Sequence, residues 1–358
     1  MPPPQAPEPG PPDEVIKLVF IHHSTGENWL TDEYGNLGRE LASNNYFVSD
    51  TNYRWGPEYI GDRTDIPNWI EWFRSSATPT YMEALFNESS QHSNYTRDLH
   101  NPGGENQIIM FKSCFPNSEL TGSPNDPPGN YEELSVGGAK YVYNELLKYF
   151  ATRPNKLFVV ITAPPLSDRI YAKNARAFNQ WMVNDWLSEN NYTTGNVAVF
   201  DFYNILTGND AHHRYRNGQI EHVVVSRDTL YYPIGDDHPS EAGSQKATEE
   251  FIPLLNVFYN RWKASAPLQP PAESLDPTGE PSQETADETL PQSPAPAGQR
   301  AAAALIDDFE AENQPGTNGW EPFWDEATPT SMHCAVELGM ANGGSHALIL
   351  DFDVSPNA

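Results

Sequence analysis

The sequence has few cysteines and few basic residues, and it has no long apolar run. Its 358 residues include two cysteines, Cys114 and Cys334, which supply neither a disulfide framework nor the spacing of a metal site. Lysine and arginine total 21 against 49 aspartates and glutamates, a formal net charge of −28. Phosphate backbones and anionic lipid are bound largely through lysine and arginine, so we expect no nucleic-acid partner. Since no segment approaches the roughly 20 apolar residues of a membrane span, we expect none in this chain.

Two further patterns are missing. The start, MPPPQAPEPGPPDEV, lacks the basic beginning and apolar middle of a signal peptide and indicates a proline-rich spacer over residues 1–14. No Gly-x-Ser-x-Gly elbow occurs, which argues against the α/β-hydrolase arrangement of a nucleophilic serine. The acidic, linker-bearing composition favours an extracellular or cell-surface protein, with a signal or anchor expected upstream of this chain.

Composition divides the remaining chain into three regions. Residues 264–303 have no aromatic residue and are rich in Pro, Ser, Thr, Glu and Ala, which predicts an extended linker because too little apolar surface is available to fold. Residues 304–358 show short alternating runs and turn residues, which predict a truncated β-rich module with a strand over 346–354. Residues 15–263 form the expected main domain.

Apolar runs in the main domain alternate with helical patterns. Runs typical of strands cover residues 17–21, 46–50, 107–111, 157–162 and 196–202. Apolar residues at intervals of three and four predict helices over 131–150, over 171–187 and after Ser240. Buried strands separated by helices predict an α/β fold, a three-layer sandwich with a parallel sheet. In such folds ligands bind beyond the carboxyl ends of the strands.

Polar residues of types that take part in catalysis follow these strands. They are His22, His23 and Ser24 after the first run, Gly56 in NYRWG after the second, Asn117 in FKSCFPNS after the third, and His238 in DDHPSEAG before the last helix. A serine becomes a useful nucleophile when a base takes its proton, an acid holds the base, and donors stabilise the oxyanion. All of these residue types are available here.

This order of elements resembles the SGNH or GDSL-type hydrolases, a family of flavodoxin-like esterases and lipases. The resemblance covers roughly residues 17–262. In that family a nucleophilic serine follows the first strand, a glycine the second and an asparagine the third, and an Asp-x-x-His precedes the final helix. The resemblance implies that Ser24 is the nucleophile, that His238 is the general base, and that the oxyanion hole consists of Ser24, Gly56 and Asn117.

The sequence departs from the family pattern in three places. Two histidines replace the usual Gly-Asp before the serine, and a Pro-Asn-Ser triplet replaces a Gly-x-Asn-Asp block. The position three before His238 is Gly235, so the orienting acid must be Asp236 or Asp237. We favour Asp236, because a residue two positions back on a turn folds its carboxylate toward the ring more easily than the adjacent residue, and Asp237 stays open.

The resemblance implies a serine esterase that works through an acyl-enzyme without metal or cofactor. The tail IDDFEAENQPGTNGW resembles the start of a galactose-binding-like or carbohydrate-binding module, which favours O-acyl, above all O-acetyl, esters of carbohydrates, for example an acylated polysaccharide. A lipase, carboxylesterase or polyester hydrolase with the same triad is the nearest alternative. A non-catalytic glycan-binding surface protein is the alternative from another class.

The histidines after the first strand also raise a metal hypothesis, in which one of them joins His238 and an acid such as Asp201. Adjacent histidines on a strand point to opposite faces, so only one of His22 and His23 suits such a site. We instead expect one of the two to pack beneath the nucleophile loop and to orient it.

Three other features carry weaker signals. Cys114 directly follows the third strand, where a small buried hydrophobe is the expected role. Residues 211–215, AHHRY, are expected in a polar loop. The aromatic-rich residues 53–73 are compatible equally with core packing and with stacking on a sugar or aryl ring.

Overall fold

The computed structural model describes residues 9–129 and 133–265, together with the backbone of two strands over residues 330–338 and 346–354. The chain divides into two compact units, Met1–Glu273 and Ser274–Ala358. The predicted spacer is described from residue 9 onward, and the predicted linker lies outside the described residues beyond residue 265.

The first unit is built on a five-stranded parallel sheet. Its strands are β1 (Ile16–Ile21), β2 (Tyr46–Thr51), β3 (Ile108–Lys112), β4 (Leu157–Ile161) and β5 (Val197–Phe200). They lie side by side in the order β2-β1-β3-β4-β5, and every neighbouring pair is parallel. This is the flavodoxin-like doubly wound order, in which the strand order reverses between β1 and β3. The predicted α/β fold with a parallel sheet is confirmed.

Burial on both faces explains why these segments form strands. Side chains alternate between the two faces of a strand, and two separate apolar cores result. Val19 and Phe111 pack into one core, whereas Phe20 and Met110 pack into the other, and all four are fully buried. Burying a side chain of this size contributes about 1.5–3 kcal/mol, so the near-continuous apolar runs are stable only with a layer on each side.

Helices supply those two outer layers. They are α1 (Thr25–Leu30), α2 (Leu37–Ser43), α3 (Trp69–Arg74), α4 (Thr78–Asn87), α5 (Val136–Phe150), α6 (Ala172–Asn184), α7 (Trp186–Glu189), α8 (Phe202–Ile205) and α9 (Glu241–Ser265). Helices α3 to α7 pack on one face, and α1, α2, α8 and α9 on the other. Within the described part of the chain, no helix combines the length and the apolar character of a membrane span.

The predicted helices form with shifted ends. Helix α5 begins at Val136 because the Ser135 hydroxyl caps it, accepting the N–H of Gly138 at 3.0 Å; residues 130–132 lie outside the described residues. The helix predicted over 171–187 is two helices, α6 and α7, which meet at Asp185. The helix expected after Ser240 is α9.

A hairpin follows β5 where a polar loop is predicted. Residues 211–215 fall mostly in β6 (His212–Arg216), which pairs antiparallel with β7 (Gln219–Val223). Asn217 and Gly218 turn the chain with positive φ values of 52° and 82°, as a two-residue Asn-Gly hairpin requires. His213 is buried and stacks on Phe200. The loop prediction is therefore wrong, because a buried histidine and an Asn-Gly turn favour pairing.

In the second unit, the backbone of β8 (Thr330–Leu338) pairs antiparallel with that of β9 (His346–Val354). Strand β9 coincides with the strand predicted over 346–354. The rest of the predicted module, 304–358, lies outside the described residues, and its likeness to a carbohydrate-binding module stays a prediction.

Candidate active site

Ser24 lies in the turn between β1 and α1, at the carboxyl end of the sheet. Its φ is 47° and its ψ is −107°, a conformation that residues other than glycine rarely adopt. Such a backbone costs about 1–3 kcal/mol and persists only where its surroundings fix it. Here the Ser24 carbonyl accepts the N–H of Asn28 at 3.1 Å, and the His23 carbonyl accepts the N–H of Gly26 at 3.0 Å. The turn thus holds Ser24 in a strained conformation of the kind that is common at functional sites.

A buried histidine–aspartate pair supports this turn from below. His22 Nε2 lies 3.1 Å from Asp50 Oδ2, and neither side chain is exposed. The His22 ring is so close to Gly26 that a Cβ added there would lie 2.5 Å from His22 Cβ. Only glycine therefore fits at position 26. Of the two histidines, His22 is the one that packs beneath the Ser24 turn.

The buried pair has a defined protonation state. Burial lowers the pKa of His22, since a charged ring is poorly solvated there. Burial raises the pKa of Asp50, but hydrogen bonds from His22 and Ser93 outweigh it and hold that pKa below its ordinary value. A neutral ring therefore donates from Nε2 to an ionised carboxylate, which leaves His22 Nδ1 buried and without a hydrogen-bond partner among the described residues.

His238 meets Ser24 from the loop that precedes α9. The distance between Ser24 Oγ and His238 Nε2 is 2.8 Å, although the two residues are 214 positions apart. On the other side of the ring, Nδ1 lies 3.1 Å from Asp236 Oδ1, which also accepts the backbone N–H of His238 at 2.8 Å. A hydroxyl, an imidazole and a carboxylate thus form one line of hydrogen bonds.

The choice between the two candidate acids has a clear geometric outcome. Asp236 contacts the His238 ring, whereas the Asp237 carboxylate accepts the backbone N–H of Ser167 at 2.7 Å. The backbone N–H of His238, and then its ring, hold the pKa of the exposed Asp236 below its ordinary value. Asp236 therefore stays ionised and faces Nδ1 as an acceptor.

Neighbouring side chains fix the position of His238. The Tyr34 hydroxyl donates to the Pro239 carbonyl at 2.6 Å, which joins the histidine loop to the chain after α1. Phe115 packs edge-on against the His238 ring, with 5.0 Å between ring centroids. Neither residue is part of the predicted site, and only the position of Phe115, three residues after β3, marks it in the sequence.

The structure does not bring all of the predicted oxyanion donors into contact with Ser24. Asn117 is buried, and its amide oxygen accepts the N–H of Ile66 at 2.7 Å while its nitrogen donates to Asp65 at 2.6 Å. Gly56 lies in the loop after β2 with a φ of 76°. Among the described residues, no hydrogen bond joins Gly56 or Asn117 to Ser24. Their roles stay predictions.

A polar network that the sequence did not predict lies beside the Ser24 turn. The buried Lys112, the last residue of β3, donates to the hydroxyl of Thr25 at 2.6 Å. That hydroxyl also lies 3.5 Å from Cys114 Sγ. Cys114 is buried as predicted, but it contacts polar groups and is not a plain apolar filler. The missed signal is a lysine at the carboxyl end of the otherwise apolar strand IIMFK.

The aromatic-rich segment divides between core and surface. Trp69, Trp72 and Phe73 are buried in one of the two cores. Tyr53 is instead 57% exposed, and its ring lies against His23 with 4.9 Å between centroids. His23 in turn contacts the Thr64 hydroxyl at 2.5 Å. Tyr53 therefore offers an exposed aromatic face next to the residue that precedes Ser24.

The histidines and acids of the metal hypothesis have other partners. Asp201 Oδ2 lies 2.8 Å from His222 Nε2, and His22 contacts Asp50. No group of three or more His, Cys, Asp or Glu side chains suited to hold a metal occurs among the described residues. The combination that this hypothesis requires is therefore not assembled.

Neither a protein-family model nor a curated protein matches this chain. Two solved structures are similar to it at low identity. One is described as a carbohydrate esterase whose active site displays divergent catalytic and non-catalytic binding functions, with a TM-score of 0.32, 13% identity, and coverage of 69% of this chain and 68% of that one. The other has a TM-score of 0.31 and 14% identity, and covers 66% of this chain and 94% of that one.

Proposed function

We propose that this protein is a serine esterase of the SGNH type that hydrolyses carboxylic esters through an acyl-enzyme. The single observation that supports this most strongly is the 2.8 Å contact between Ser24 Oγ and His238 Nε2, with the carboxylate of Asp236 3.1 Å behind the ring. This is the arrangement of nucleophile, base and orienting acid that activates a serine. The strained turn that carries Ser24 also supports it.

In the first half-reaction, Ser24 Oγ attacks the ester carbonyl carbon while His238 Nε2 takes the hydroxyl proton. Asp236 accepts the N–H on Nδ1, so Nε2 is left free as the base, and the carboxylate stabilises the imidazolium that forms. The tetrahedral intermediate then collapses, the bond to the leaving alcohol breaks, and Nε2 returns the proton to that alcohol. Ser24 is left esterified by the acyl group.

Water completes the reaction. His238 Nε2 takes a proton from a water molecule, whose oxygen attacks the acyl carbon, and the proton returns to Ser24 Oγ as the acyl–serine bond breaks. The products are the free acid and the regenerated enzyme. We assign the oxyanion to the N–H groups of Ser24 and Gly56 and the amide of Asn117, where one such donor typically contributes about 2.7–4 kcal/mol.

O-acyl esters of carbohydrates, above all acetyl esters, are the proposed substrates, and no cofactor is required. The exposed ring of Tyr53 beside the Ser24 turn supports a sugar or aryl group in this place. The likeness of residues 306–320 to the start of a carbohydrate-binding module supports an acylated polysaccharide at or outside the cell surface. A lipase, carboxylesterase or polyester hydrolase would use the same three residues.

The test is hydrolysis of p-nitrophenyl acetate and of acetylated xylan by the full chain and by Ser24→Ala. We expect Ser24→Ala to lower kcat by at least about 10⁴-fold, since removal of a triad serine costs this much or more in serine hydrolases. Ser43→Ala is the matched control, because Ser43 is an exposed helical serine whose hydroxyl donates to the backbone carbonyl of Arg39 at 3.0 Å.

Each outcome separates the candidate functions. Preference for acetylated xylan over long-chain esters supports the carbohydrate esterase, whereas the reverse preference indicates a lipase or polyester hydrolase. A folded chain that binds glycan but turns over no ester would instead be a binding protein, and the esterase proposal would fail.

A further inference from the structure

Lys112 is an unusual residue to find beneath a catalytic turn. Its side chain is at the carboxyl end of the central strand β3, with a relative exposure of 1%. Burying an ammonium group is costly unless it is paired and hydrogen-bonded. Its hydrogen bond is to a neutral group, the hydroxyl of Thr25, at 2.6 Å. A solvent-exposed lysine would avoid this cost, so the buried position needs an explanation.

Lys112 donates to Thr25, the residue next to Ser24, so its ammonium acts on the Ser24 turn. Thr25 follows Ser24 directly and is the first residue of α1, with a relative exposure of 1%. Its hydroxyl lies between Lys112 Nζ and Cys114 Sγ. Lys112 therefore holds the residue that sets the direction of the chain immediately after the strained serine.

The charges of the network favour an ammonium and a thiolate near neutral pH. Burial lowers the pKa of Lys112 to about 8, and Cys114 opposes this shift. Burial alone would raise the pKa of Cys114, but the His23 side chain and Lys112 lower it to about 5. His22, directly after β1, is a further titratable group that faces Lys112, and its own pKa is lowered by burial and further by the charge of Lys112.

We propose that Lys112 is a positioning residue for Ser24: its ammonium anchors Thr25 against Cys114 and so keeps the serine hydroxyl in contact with His238. This inference rests on the proposed esterase function. Lys112 does not touch the reacting atoms, and it acts through Thr25 alone. A displacement of about 1 Å at a nucleophile typically costs on the order of 100-fold in rate.

Deprotonation gives this role a distinctive pH dependence. When the ammonium loses its proton, its hydrogen bond to Thr25 loses charge assistance, and Cys114 loses its counter-ion. Activity should therefore fall as pH rises through about 8. Stability should move in the opposite direction, because the unfolded chain, with a lysine pKa near 10.5, binds more protons than the folded chain between pH 8 and 10.5.

The test compares Lys112→Met, Thr25→Val and Thr25→Ser with the wild type. kcat and KM for p-nitrophenyl acetate are measured from pH 6 to 10, and Tm at each pH. We expect Lys112→Met to lower kcat about 10- to 100-fold with little change in KM, to keep or raise Tm, and to abolish the decline above pH 8. Thr25→Val should show a similar loss, and Thr25→Ser, which keeps the hydroxyl, should retain most of the activity.

Lys17→Met is the matched control. Lys17 is also buried and has one neutral acceptor, the Gly104 carbonyl at 2.9 Å, but it lies at the amino end of β1. Its replacement should leave the pH profile unchanged. In the double variant Lys112→Met/Thr25→Val the two losses should not add, because both remove the same contact.

Two results would overturn the inference. One is a folded Lys112→Met enzyme with wild-type kcat and an unchanged alkaline decline, and the other is a full additive loss in the double variant. The rate at which a fluorophosphonate labels Ser24 separates this failure from failure of the esterase proposal. If wild-type Ser24 labels rapidly and Lys112→Met labels equally fast, only the role of Lys112 fails. If wild-type Ser24 does not label, both proposals fail.

Discussion

Two histidine–aspartate pairs lie close to the Ser24 turn, and both have a nitrogen–oxygen distance of 3.1 Å. In the His22–Asp50 pair neither side chain is exposed, whereas in the His238–Asp236 pair the exposed fractions are 25% and 60%. The same two groups at the same distance are therefore held in very different environments.

We expect the difference in burial to divide a structural role from a catalytic one. A buried pair is expensive to break, because removing one partner leaves the other charged or polar group without water. An exposed pair contributes little to stability, because solvent screens it, but its ring is free to meet a substrate. On the proposed function, we therefore expect His22 to support the fold of the Ser24 turn and His238 to transfer the proton.

Replacing each histidine in turn by alanine should give the largest contrast between loss of activity and loss of stability. His238→Ala should lower kcat/KM by about 10⁴-fold or more, as loss of a triad member does, with a change in the free energy of unfolding within about 0.5 kcal/mol. His22→Ala should lower the free energy of unfolding by about 3–5 kcal/mol, because Asp50 is left buried without its partner. Ester hydrolysis and urea unfolding measure the two effects.

The assignment is contradicted if His22→Ala folds with wild-type stability, or if His238→Ala retains wild-type turnover. A combined loss of both properties in His238→Ala would mean that the exposed pair also supports the fold.

Replacing the acid that faces His238 should have a smaller effect on kcat. Asp236→Asn should lower kcat about 100-fold, less than the about 10⁴-fold seen for a buried triad acid, because the exposed carboxylate is already screened by water. Asp237→Asn is the matched control and should stay within about threefold, since Asp237 contacts the Ser167 backbone and not the ring. Equal losses in the two variants would contradict the assignment of Asp236.

A pH dependence of stability is also expected, because two buried histidines resist protonation. Burial lowers the pKa of His22, and it lowers the pKa of His213 from 6.5 to about 3. Below pH 6.5 the unfolded chain therefore binds more protons than the folded chain. The free energy of unfolding should decrease as the pH is lowered, by up to about 1.4 kcal/mol per pH unit for each histidine. Urea unfolding between pH 7 and 5 measures the slope.

Two variants refine this measurement. His213→Gln should reduce the slope, whereas His100→Gln should leave it unchanged, because His100 is exposed. A stability that stays constant or rises as the pH falls from 7 to 5 would show that the buried rings do not resist protonation.

The sheet could be predicted because short segments of the sequence carry its signal. Near-continuous apolar runs such as that of β1 have no stable place except between two layers, and helical spacing identified α5 and α9. The β6–β7 hairpin was missed because its histidines and arginines look like a solvent-exposed loop, although the turn pair Asn217-Gly218 carried the signal.

The candidate site was predictable in outline for the same reason, since Ser24 follows a strand and His238 precedes a helix. Its position two residues before His238 favoured Asp236 over Asp237, but which carboxylate reaches the ring depends on a few backbone angles that a pattern of residue types does not encode. Lys112 could not be singled out, because one charge at a strand end has no periodicity, and its partner Thr25 is 87 residues away in the sequence.

The link between Tyr34 and Pro239 bears on how the molecule should lose function when it is heated. The Tyr34 hydroxyl, at 2.6 Å from the Pro239 carbonyl, helps to fasten a partly exposed loop on which the meeting of two distant chain segments depends. Surface loops open at a much lower free-energy cost than central strands do. On heating, the loop that carries His238 would then detach early and reversibly. Activity would be lost while circular dichroism still shows intact secondary structure.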